Sequence, residues 1–88
     1  MPELDRGFLK QVALNLKAIR NQQNMRQVDV LNQTNIHIGR IESGRANVKL
    51  STLKTLAEFY GVPMQRLFEG IAWFYDDHKL IQPIQLNF

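Results

Sequence analysis

The apolar positions of the chain fall into two regimes, a helical one up to Gly70 and a different one beyond it. The first period runs Leu9, Val12, Leu16, Ile19, with Leu4, Phe8 and Ala13 on its flanks. Steps of three and four place these side chains on one face of a helix from about Leu4 to Gln23. Asn24 suits a left-handed C-terminal cap. A shorter helix over Gln27–Gln33 has Val28 and Leu31 as its apolar pair, and Thr34-Asn35 reads as a turn because Asn tolerates positive φ. The spacing then predicts a helix from Ile36 or His37 to Ser43, with Ile38 and Ile41 inward and Gly44 ending it. Arg45 to Lys49 is an open loop. Ser51 is the expected cap of a fourth helix whose apolar face is Leu53, Leu56, Ala57 and Tyr60, stopped by Gly61. Val62-Pro63 opens a fifth, carrying Met64, Leu67 and Phe68 and closed by Gly70. The expected fold class is therefore all-α: five helices with short connections.

Residues 71–88 follow another rule. They hold four of the eight aromatic residues (Trp73, Phe74, Tyr75 and Phe88), and Ile84, Leu86 and Phe88 alternate with Gln85 and Asn87. Alternation is a strand period, so a strand or a short hairpin turning at Asp76–Lys79 is expected, with an amphipathic helix over Ile71–Tyr75 as the alternative. The chain divides into a domain of residues 1–70 and an extension of residues 71–88. Trp73, Phe74 and Tyr75 cannot all enter one small core, and Ile84, Leu86 and Phe88 need a second apolar face. The extension is accordingly expected to form a homodimer interface; folding back onto its own bundle is the competing arrangement.

Composition narrows the function. Eighty-eight residues make one small domain, and a domain of this size buries only roughly 60% of its unfolded surface, which favours a partner subunit. The absence of cysteine excludes disulfides and a thiolate metal site and fits a reducing compartment. No apolar run approaches the ~20 residues of a membrane span, and the acidic start (Met-Pro-Glu-Leu-Asp) has no signal-peptide core, so a soluble, cytoplasmic protein is expected. The net charge of +3 is unevenly spread: +2 over Met1–Asn35, +3 over Ile36–Thr55 and −2 over Leu56–Phe88. A polyanion would sit on the middle and N-terminal parts. His37 and His78 lie far apart without metal-ligand spacing, Asp76-Asp77 reads as turn chemistry, and no Gly-rich phosphate loop is present. No enzymatic activity, metal or cofactor is expected.

Three stretches in register carry a family resemblance: Leu16–Gln27 (LKAIRNQQNMRQ), Ile38–Gly44 (IGRIESG) and Leu50–Phe68 (LSTLKTLAEFYGVPMQRLF). With Arg20, Gln27, Ile38, Ile41, Glu42 and Gly44 in place, the sequence resembles the Cro/phage-repressor (XRE-type, lambda-repressor-like) helix-turn-helix family over about Leu9–Glu69. The resemblance implies a sequence-specific transcription regulator that binds double-stranded DNA as a homodimer on an operator. It also implies a structural ion pair between Arg20 and Glu42. Three departures stand out. About three residues are missing between the turn and Ile38, Arg26 replaces a usual Ser or Thr cap, and Leu31 replaces a usual small residue. The missing residues keep Ile38 and Ile41 in phase but remove the first turn of the recognition helix, where base contacts usually lie. A protein–protein adaptor that keeps the fold without DNA readout is therefore the alternative.

The candidate DNA-binding residues are Gln27, His37, Arg40, Ser43, Arg45, Asn47 and Lys49. Gln27, at a helix start, suits a phosphate, or else caps its own helix. Arg40 suits a guanine edge or a phosphate. His37 would reach a base edge or a phosphate, and Ser43 the DNA backbone. Arg45, Asn47 and Lys49 resemble the family's phosphate-clamping loop, although Asn47 equally suits a turn. Gly39 leaves room for backbone to approach DNA closely.

Overall fold

The computed structural model describes residues 5–71. Five helices follow in order: α1 (Arg6–Gln22), α2 (Gln27–Thr34), α3 (Ile38–Glu42), α4 (Leu50–Tyr60) and α5 (Met64–Leu67). No strand occurs among the described residues. The strand, hairpin or helix expected within 71–88 lies outside them, apart from Ile71, which packs against the core.

Asp5 starts α1 by accepting the Phe8 N–H on its carboxylate at 3.0 Å, which satisfies one of the free donors of the first turn. The helix ends at Gln22 with Gln23 as its C-cap, and Asn24, the expected cap, takes the left-handed conformation one residue further on at φ 57°. Val12, Leu16 and Ile19 of α1 line the core with Ile38 and Ile41 of α3, Leu53, Leu56 and Tyr60 of α4, and Leu67 of α5. α1 packs against both α3 and α5, α2 against α3, and α4 against α5.

Two expectations about these elements are corrected. The core residue of α2 is Val30, fully buried, whereas Val28 is 45% exposed and Leu31 half-buried. Positions 28 and 30 lie about 200° apart on a helix, so only one of them can face inward. Ser51 does not cap α4. The Leu53 N–H already donates to the Lys49 carbonyl at 3.1 Å, so Lys49 is the N-cap and Ser51 lies inside the helix.

The turn between α2 and α3 is built by side chains. Thr34 Oγ donates to the Val30 carbonyl at 2.8 Å and accepts the Ile36 N–H at 3.0 Å. Asn35 takes the left-handed conformation at φ 64°. Arg26 compensates for the missing Ser or Thr cap of α2: Asp29 accepts its backbone N–H at 2.7 Å and its guanidinium at 2.9 Å. Those bonds hold the Asp29 carboxyl below the usual carboxylate range, the side-chain bond first and the backbone bond second.

Candidate nucleic-acid interface

α3 is five residues long and positions the face that the sequence singles out. A helix of this length is unstable alone, so its orientation comes from anchors. Ile38 and Ile41 are buried on one side. Glu42 is the second anchor, its side chain only 3% exposed. It accepts from Arg20 Nε at 2.8 Å and Nη2 at 2.9 Å, and from Gln27 Nε2 at 3.0 Å. Arg20 Nη1 donates to the Met25 carbonyl at 2.8 Å, tying the same guanidinium to the α1–α2 connection. The bond to Glu42 raises the Arg20 pKa above its ordinary value despite burial. Arg20, Glu42 and Gln27 thus lock α1, α2 and α3 together, with the Glu42 charge turned inward.

Gly44 makes the third anchor. Its φ of +77° requires the left-handed region, and a Cβ there would come within 3.4 Å of Lys10 Cα. The backbone after α3 therefore crosses α1 closely.

The outward side of α3 gathers most of the candidate residues. Gln27, His37 and Arg40 border one depression beside Gly39. Arg40, Ser43 and Arg45 border the next. His37, Arg40 and Lys49 border a third, beside Thr52. Arg40 is common to all three and joins them into one continuous surface. His37, Arg40, Ser43, Arg45 and Lys49 are all exposed. Ser43 has an added internal role: its Oγ donates to the Arg40 carbonyl at 2.6 Å and accepts the Arg45 N–H at 3.3 Å, shaping the end of α3.

Asn47 is set apart from this group. It lines an apolar cavity of about 110 Å³ with Asp5, Phe8 and Leu9 of the α1 end, on another side of the loop. Gln27 is also more than a surface amide, because its nitrogen is engaged by Glu42. Gly39 has a different use from the one expected. A Cβ there would lie 2.9 Å from Gln27 Oε1, so the missing side chain leaves room for the Gln27 amide to cross α3. Val28, which the sequence marks only as half of the apolar pair of α2, shares the first depression. Trp73, Phe74, Tyr75, Ile84, Leu86 and Phe88, expected at a dimer interface, lie outside the described residues.

A supporting helix and a short second helix, joined by a tight turn and braced by α1, define a helix-turn-helix protein. The chain belongs to the Cro/phage-repressor, XRE-type branch of this class: the helix-turn-helix family model matches residues 16–67. It is 31% identical over 64 residues to the HTH-type transcriptional regulator DdrOP3 of Deinococcus deserti. That match covers 69% of this chain and 50% of the relative, so the chain spans about half the length of the curated relative it matches. Among solved structures it is similar to the S. venezulae BldD DNA-binding domain, with a TM-score of 0.65 and 34% identity, covering 70% of this chain and 97% of that one. A crystal structure of the DNA-binding domain of BldD gives a TM-score of 0.68 at 33% identity, covering 74% and 99%.

Proposed function

We propose that the protein is a sequence-specific transcription regulator that grips duplex DNA with α3 and the loop after it, and acts as a homodimer on a two-fold operator. The observation that carries this reading is the continuous exposed surface of Arg40, Arg45 and Lys49, beside which Glu42 is turned inward and neutralised. A carboxylate facing outward there would repel a phosphate backbone; this one braces the helix. The regulator DdrOP3 and the BldD DNA-binding domains support the same reading. Among the described residues no cluster of His, Cys, Asp or Glu is placed to hold a metal, and no helix is long and apolar enough to cross a membrane.

Arg40 stands on α3 and suits base readout, whereas Arg45 and Lys49 on the loop suit phosphates. Selection of bound sites from random DNA, followed by titration at several salt concentrations, tests the division. Arg40→Ala should relax preference at one or two base pairs, at about 1–3 kcal/mol for a bidentate contact. Arg45→Ala and Lys49→Ala should weaken all sequences alike and flatten the salt slope. The homodimer, assigned to residues 71–88 on their apolar pattern, implies an inverted repeat in the selected sites. Three variants that bind as tightly as the parent would move the interface elsewhere, and no salt-sensitive DNA binding at all would favour the adaptor.

A further inference from the structure

We propose that Val28 and Leu31, beside the first turn of α3, form a seat for the C5-methyl group of a thymine base. The inference rests on the DNA-binding reading above and adds a determinant of sequence preference from α2.

Val28 stands at the second position of α2 and is 45% exposed. The core does not need it, because Val30 supplies the buried contact of this helix. With half-buried Leu31 it forms one wall of a depression of about 310 Å³, whose other wall is His37, Gly39 and Arg40. Gln27 borders the same depression, but its amide lies over Gly39, where a Cβ would stand 2.9 Å from Oε1, and is drawn to Glu42 at 3.0 Å, which leaves Val28 exposed. The result is a small apolar patch at the edge of a cationic surface.

Charge complementarity selects the occupant. Arg40 in the wall and the neighbouring Arg45 and Lys49 favour a polyanion over an apolar peptide. The apolar group that duplex DNA displays in its major groove is the thymine methyl. Two side chains accommodate a group of that size, while a stable protein interface needs an area of about 1,000 Å² or more. The missing first turn of the recognition helix fits this role, because a shorter α3 leaves α2 uncovered at this point.

The test replaces each thymine of a selected binding site by deoxyuridine, which removes the methyl group and leaves the hydrogen-bonding edge intact. The full chain should lose roughly fourfold in affinity at one thymine per half-site, the factor for about one buried methyl-sized group. Val28→Ala should bind the thymine and uracil versions of that position alike, with the salt slope of the parent unchanged. Val28 is exposed and outside the core, so this variant keeps the fold. The inference is overturned if no thymine position responds to uracil, or if Val28→Ala keeps the full penalty. Failure of the DNA-binding reading looks different: no site is then selected at all, and the inference falls with it.

Discussion

The carboxylate of Glu42 receives three hydrogen bonds from two helices, and its partner Arg20 is itself only 8% exposed. Breaking such a pair from one side leaves a charge buried without a partner, at a cost of about 3–5 kcal/mol. Arg20→Met and Glu42→Gln should each lower stability by that order, and the double variant should be less unstable than their sum. Denaturant unfolding of the four proteins gives the coupling, and a value of zero would remove the pair from the fold's supports. Tyr60 lies near the same charges, and its buried hydroxyl has no hydrogen-bond partner. Burial first, then the Glu42 charge, pushes its pKa up to about 12. The folded state therefore holds the phenol proton more tightly than the unfolded chain does. Stability should be steady below pH 10 and fall as pH rises from about 10 to about 12. Tyr60→Phe should lose that alkaline slope and be at least as stable as the parent at pH 7, since it removes an unpaired buried polar group. Unfolding at pH 7, 10 and 12 checks both. The Arg20–Glu42 partnership was legible through the family resemblance. The state of the Tyr60 hydroxyl was not, because an apolar period shows which residues face inward and nothing of what their polar atoms meet.

Single elements depend on contacts that sequence patterns do not carry. α5 is one turn long, below the length at which a helix sustains itself. Asn15, buried on α1, supplies what it lacks: Nδ2 donates to the Leu67 and Glu69 carbonyls, both at 2.8 Å, and Oδ1 accepts from Gln11 at 3.1 Å. Asn15→Ala should cost about 1–3 kcal/mol by leaving these carbonyls unpaired. Hydrogen exchange should show protection lost in residues 64–70 and retained in α1; uniform loss would mean that Asn15 acts on the whole core. An asparagine between Leu14 and Leu16 looks like the polar face of a helix, so nothing local marked it as a staple to a segment some fifty residues away. α2 was ambiguous for a related reason. Eight residues with Val28, Val30 and Leu31 do not fix a phase, and the choice is made by the helices packed on it. The longer periods of α1 and α4 left less freedom: Val12, Leu16 and Ile19, and Leu53, Leu56, Ala57 and Tyr60, face inward as expected, while Phe8 and not Leu9 packs against the core.

At the scale of the whole molecule, the fold followed from periodicity and punctuation: Asn24, Asn35, Gly44, Gly61 and Gly70 all take positive φ at the ends that the sequence marks. The candidate site was legible as a set of residues, and its three-dimensional order was not. Gln27 and Glu42, fifteen positions apart, meet across two helices, and Asn47 parts from the loop residues around it. The short α3 has a consequence for how such a protein would search a chromosome. Five residues at a rise of 1.5 Å extend about 7.5 Å, roughly two base-pair steps of duplex. Two base pairs distinguish on the order of 16 words, against roughly a million or more competing positions in a genome. One copy reading through this helix alone would carry about four bits of address and settle almost anywhere. Each base pair read outside α3, and each second copy held in fixed register, would multiply that vocabulary, so under the proposed DNA-binding function selectivity would come from an assembly more than from this one helix.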